Sequence, residues 1–116
     1  MIMITDGRKD SFSLDIFGSL YNVNLNAKTG SISELNDGEC DIARKEIHIR
    51  DMNGMEDKDP VLQKFRQKQV MEHEVTHAFA FETGFDELSN NETLIDWIAL
   101  NARKLVALFD RAGEML

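Results

Sequence analysis

A single cysteine, Cys40, leaves this chain no internal disulfide to form. The fold must rest on its core, and a lone thiol fits a reducing compartment, so a cytoplasmic setting is expected. Cys40 also lacks the flanking signature of a cysteine nucleophile. Basic residues are scarce: 13 Lys and Arg stand against 21 Asp and Glu, a formal net charge of −8. That deficit argues against nucleic-acid binding, which needs a basic footprint. It suits solubility, or attraction to a basic partner. Nothing approaches the ~18 apolar residues of a membrane span, and no signal-peptide stretch opens the chain, so no membrane association is expected. Repeats, low-complexity segments and linkers are absent as well. Residues 1–116 therefore read as a single domain with chain enough for one core.

What is present divides near Asn53. Before it, Phe12-Ser13-Leu14-Asp15-Ile16 alternates apolar and polar residues, Phe17-Gly18-Ser19 reads as a turn, and Leu20 to Leu25 alternates again. This predicts a β-hairpin. Thr29-Gly30 and Asn36-Asp37-Gly38 mark later turns. Glu39 to Ile42 and Glu46 to Arg50 form a second hairpin, with Ile47 and Ile49 facing helices and Glu46, His48 and Arg50 facing water. The acidic loop from Asp51 to Asp59 lacks the spacing and closing Glu of a calcium loop and reads as a solvated connector. Asp59 then caps a helix, Pro60 takes its first turn, and the helix runs through Glu82 to stop at Gly84. A second helix is expected from near Asn90 to about Ala112. Leu94, Ile98, Leu105, Leu108 and Phe109 supply its apolar stripe, broadened by Ile95, Ala99, Ala102 and Val106. Phe79 and Trp97 read as core. The fold class is α+β: a small, mostly antiparallel N-terminal sheet followed by two long helices.

The chemistry sits in His73-Glu74-Val75-Thr76-His77. Positions four apart on a helix lie on one face, so His73 and His77 can grip one Zn²⁺ together. Glu74 lies about 100° round the helix and can lean over the open position as a general base. Val70, Met71, Val75, Ala78, Phe79 and Phe81 flank the motif, so the imidazoles border a core and need partners. Catalytic zinc has three protein ligands and keeps a fourth position for water. Glu92 is the preferred third, and Asp96, one turn on, would hydrogen-bond the non-ligating nitrogen of a zinc-bound His. Two readings of Glu92 compete. Ser89-Asn90-Asn91-Glu92 also fits a capping box, with Ser89 as N-cap and Glu92 folded back upon it. Asn90 or Asn91 could cap instead. Asp86 and Glu87, in the turn, are rival ligands. His48 could stabilise an oxyanion by residue type, though an ordinary surface histidine is the simpler reading.

His73, Glu74 and His77 on one helix, with Glu92 and Asp96 on the next, resemble the gluzincin metallopeptidases, thermolysin among them. The stretch from Val70 to Asn101 also resembles small phage and prophage zinc peptidases related to the IrrE-like group. The resemblance implies a minimal zincin-like metallopeptidase domain acting on a protein or peptide. In it His73, His77 and Glu92 are ligands, Glu74 is the base, and Asp96 supports a ligand. It also implies that substrate adds as a strand along Gly38 to Ile42. Read as a single domain of this size, the chain is expected to lack the second domain that supplies further catalytic groups in larger members. It departs from the metzincins, since Ala80 and Thr83 stand where their Gly and third His would be. Two other classes remain open. One is a zinc-binding, phage-type protein with little turnover that acts by binding a host protein. The other is a zinc amidase acting on a non-protein amide.

Overall fold

The computed structural model describes residues 10–27, 36–52 and 55–116. Its first half is a four-stranded sheet. Strands β1 (Ser11–Ile16) and β2 (Ser19–Ala27) form the first hairpin, and β3 (Gly38–Asp41) and β4 (Glu46–Arg50) the second. The order across the sheet is β1-β2-β4-β3. Both hairpins are antiparallel, but β2 and β4 pair in parallel, so the sheet is mixed. The hairpin that carries β3 thus joins the first through β4, and β3 is left at an edge.

The β1–β2 turn is tight, with Ile16 paired to Ser19. Phe17 and Gly18 both have positive φ, 51° and 91°, the twist a two-residue hairpin requires. Asp15 Oδ1 accepts the Gly18 amide at 2.8 Å and braces the turn. Alternation then decides which face is buried. Tyr21, Val23, Ile47 and Ile49 are fully buried, while Asn22, Asn24, Glu46 and His48 point to the other face. Each fully buried side chain of this kind contributes roughly 1.5–3 kcal/mol, so these few set the register.

Helix α1 (Pro60–Glu82) lies on the buried face, adding Val70 and Ala78 to the core. Asp59 caps it through the Val61 amide at 2.9 Å. It stops at a Schellman turn, in which Gly84 N donates to Phe81 O at 3.0 Å and Phe85 N to Ala80 O at 2.8 Å. Gly84 takes the φ of 85° that this turn needs. The helix is pinned at several places. Ser19 Oγ, Tyr21 OH and Lys45 Nζ donate to the Glu82 carboxylate at 2.7, 2.7 and 2.6 Å. Nearer the other end, Gln67 Nε2 donates to Leu25 O at 2.6 Å and Arg66 pairs with Asp37 at 2.7 Å. Residues 73–77 lie between these anchors.

A short helix, α2 (Asp86–Ser89), and a long one, α3 (Glu92–Glu114), complete the fold. The expected α+β class and both long helices are present, with α3 starting and ending two residues later than expected. Asp86 and Glu87, read as turn residues, open α2. The expectation for the α3 stripe needs correction: Ile95 is buried and Ile98 half-buried, but Leu94, Leu105, Val106, Leu108 and Phe109 are exposed. Phe79 and Trp97 are not core either, at 44% and 61% exposed. The helix is amphipathic as read, but its apolar stripe outruns the surface of α1 available to cover it. The turn at Thr29-Gly30 and the Asn53-Gly54 pair of the acidic loop lie outside the described residues. No helix among them is long and apolar enough to cross a membrane.

Candidate metal centre

His73 and His77 stand one turn apart on α1, with ring centroids 5.0 Å apart. Glu92 reaches them from the first turn of α3. His73 Nε2 lies 3.0 Å from Glu92 Oε2, and His77 Nε2 lies 2.7 Å from Glu92 Oε1. One donor atom from each of the three residues falls within a sphere of mutual distances no greater than 4.8 Å. Tetrahedral donors bound at ~2.0–2.1 Å stand roughly 3.4 Å apart, so the two imidazoles and the carboxylate fit a zinc ion with little adjustment. The donor chemistry fits as well, since two nitrogens and one carboxylate oxygen are an ordinary catalytic zinc set.

The capping alternative for Glu92 does not form. Asn91 is the N-cap of α3, its side chain accepting the Leu94 amide at 3.1 Å. Glu92 therefore sits one position inside the cap, with its carboxylate turned to the histidines. The rival ligands Asp86 and Glu87 are exposed residues of α2 and are not in the donor cluster.

The outer nitrogens of the imidazoles have partners. Asp96 Oδ1 lies 3.3 Å from His73 Nδ1, as the ExxxD spacing implied. Ser89 Oγ lies 3.4 Å from His77 Nδ1 and donates to the His77 carbonyl at 3.3 Å. A hydroxyl that donates to that carbonyl has its lone pairs free for the Nδ1 proton. Both contacts favour the tautomer that leaves Nε2 free to bind a metal. By its sequence context Ser89 is expected only as a helix cap. Its place behind His77 depends on the α2 turn, which no spacing rule reveals.

Glu74 is buried, and its carboxyl is pushed up to about 7, first by burial. Glu92 and Glu39 push the same way, and His73 opposes them. The other wall is Gly38. A Cβ there would stand 2.6 Å from Val70 Cγ1 and 3.0 Å from both Cγ and Oε2 of Glu74. Only a glycine lets β3 lie this close to α1. By local pattern Gly38 marks a turn, and by resemblance it opens the strand along which substrate is expected to add. Its contact with the motif helix could have been suspected only from a glycine inside a strand pattern.

Two open hollows flank the cluster and share Asn36, Gly38, Glu74 and Glu92. One, of about 460 Å³, is lined further by Arg66, Gln69, Glu72 and Leu100. The other, of about 760 Å³, reaches Cys40, Ile42, Ser89 and Asn90. The Cys40 thiol is pushed up to about 12 by burial and by the nearby Glu74 carboxyl, which keeps it protonated and unreactive at neutral pH. His48 is not brought to the site. It stands on the opposite face of the sheet from α1, with Nε2 3.3 Å from Glu46. Comparison of this chain with protein-family models, with curated proteins and with solved structures gives no match.

Proposed function

We propose that this protein is a zinc-dependent peptidase that hydrolyses a peptide bond in a specific protein or peptide. One observation carries the reading: the Nε2 atoms of His73 and His77 converge on the Glu92 carboxylate, and the buried Glu74 carboxyl borders the same hollows. Zinc held by these three side chains would supply a Lewis acid that polarises the scissile carbonyl and lowers the pKa of a water towards ~7. Three protein ligands leave one coordination position open, as a catalytic rather than structural site requires.

The chain's own residues supply the rest. Glu74 takes a proton from the attacking water and returns it to the leaving amine. A carboxyl whose pKa lies near neutrality suits both transfers. A purely structural site normally fills all four positions with protein ligands and has no use for such a group. Asp96 and Ser89 hold the imidazole tautomers. The two hollows give a chain room on either side of the cluster, and β3, last in the strand order among the described residues, lies beside them. A lone, protonated cysteine accords with the cytoplasmic setting in this proposal.

The test pairs metal analysis with turnover. Purified protein should carry about one zinc per chain and cleave some members of a diverse peptide or proteome-derived library. The Glu74→Gln variant should keep the zinc and leave the same library intact. A protein that binds zinc but cleaves nothing, with a cellular effect indifferent to Glu74→Gln, would favour the binding-protein alternative.

A further inference from the structure

The distal half of α3 is the part of the molecule that its own fold explains least. From Ala102 to Leu116 every residue is exposed, and Leu105, Val106, Leu108 and Phe109 are 50–62% exposed. The Cα radius of gyration is 15.9 Å, against roughly 13 Å for a compact chain of this length. A helical segment of about a dozen residues is marginal in water, and amphipathic helices draw most of their stability from packing. Nearer its start, α3 packs Ile95 and Ala99 towards its own molecule. Ala102, Val106, Phe109 and Gly113 continue that line in steps of three and four, which is the pattern of a helix–helix seam. Leu105, Val106, Leu108 and Phe109 thus leave apolar surface uncovered within little more than one helical turn.

We propose that this face is where two copies of the chain pair, with their α3 helices antiparallel about a two-fold axis. The seam is self-complementary. With Val106 of each copy set against Phe109 of the other, Ala102 meets Gly113, so the bulky pair fills the centre and small residues close both ends. In that register Arg103 of each copy faces Asp110 of the other along one flank, and Leu105 faces Ala112 along the other flank. A parallel pairing gives neither charge a partner. Arg103 also bonds Glu72 of its own chain, and a guanidinium has donors enough for both. Net charge points the same way. The whole chain is −8, yet Ala102 to Leu116 carries three basic side chains, Arg103, Lys104 and Arg111, against two acidic ones, Asp110 and Glu114. Two acidic molecules thus meet at a segment that itself carries a slight positive charge. This pairing does not depend on the metal site.

Sedimentation equilibrium of the full chain across a concentration series tests it. The wild type should rise from 13.2 kDa towards twice that mass. Arg103→Asp and Asp110→Arg should each stay monomeric at concentrations where the wild type pairs, because each places like charges opposite one another at both ends of the seam. An equimolar mixture of the two variants should recover the dimer, because each copy then offers the other an opposite charge at both positions. Asp110→Arg leaves the Arg103–Glu72 tie intact, and far-UV circular dichroism checks its helices. A wild type monomeric throughout, or single variants that pair as well as the wild type, would overturn the proposal. So would binding of the monomer to phosphatidylcholine–phosphatidylglycerol vesicles through this face, which would assign it to lipid instead.

Discussion

Gly38 and Glu74 touch across the joint between sheet and helix, so closely that a methyl group on Gly38 would meet the Glu74 carboxylate at 3.0 Å. The edge strand and the buried carboxyl are thereby fixed relative to each other by backbone contact. Gly38→Ala is expected to destabilise the protein by about 1–3 kcal/mol, the range for forcing a group into filled space. Urea unfolding of the metal-free variant measures this. An unchanged midpoint would mean that β3 and α1 are not held this close in solution.

Metal affinity should rank the residues around the cluster. Glu92→Ala removes one of three donors and should weaken zinc binding severely. Asp96→Ala removes only the acceptor behind His73 and should cost roughly 10–100-fold. Competition against a chelating dye gives both values. Full affinity in Glu92→Ala would remove this residue from the ligand set.

Glu74 should separate chemistry from loading. Glu74→Gln is expected to bind zinc like the wild type while hydrolysis falls by roughly 10²–10⁴-fold or more, the usual worth of general acid–base assistance. The substrate must be one the wild type cleaves, since an open cleft gives few contacts to an arbitrary chain. Equal rates for variant and wild type on that substrate would count decisively against Glu74 as the base.

Acid sensitivity should trace to Glu82. Hydrogen bonds from Lys45, Tyr21 and Ser19 pull its carboxyl down from 4.5 to about 2. The folded state therefore holds the charged form more strongly than the unfolded state does. Its stabilising contribution is complete above about pH 4.5 and is lost as pH falls from there towards 2. Thermal midpoints between pH 6 and 2.5 should fall less steeply in Glu82→Gln than in the wild type. Parallel curves would show that another group governs the acid limb.

Much of this was legible in the sequence because local rules dominate there. The Phe17-Gly18 turn, the Asp59-Pro60 start and the Gly84 stop each follow from one residue's backbone preference, and the strands of both hairpins follow from period-two alternation. The clustering of His73, His77, Glu92 and Asp96 was legible because each pair lies on one face of a single helix. What escaped reading depends on how separate elements meet. Nothing local reveals that β2 pairs with β4 in parallel. Ser89 reaches His77 only through the α2 turn, and Gly38 touches Glu74 only because an edge strand crosses the motif helix. Trp97 and Phe79 were assigned to the core on residue type, yet burial requires a facing surface, and among the described residues none covers them fully.

The anchoring of α1 has a kinetic consequence. That helix is tied to the sheet by Glu82, Gln67 and Arg66, whereas α3 meets it through Ile95, the Arg103–Glu72 pair and the Glu92 and Asp96 contacts with the histidines. A cation between His73, His77 and Glu92 would act as a latch on a hinged arm. Chelation should leave the amides of the sheet and α1 slow to exchange with deuterium while those at the start of α3 open first, so a bound metal would add its hold at the one end of α3 that packs on its own molecule.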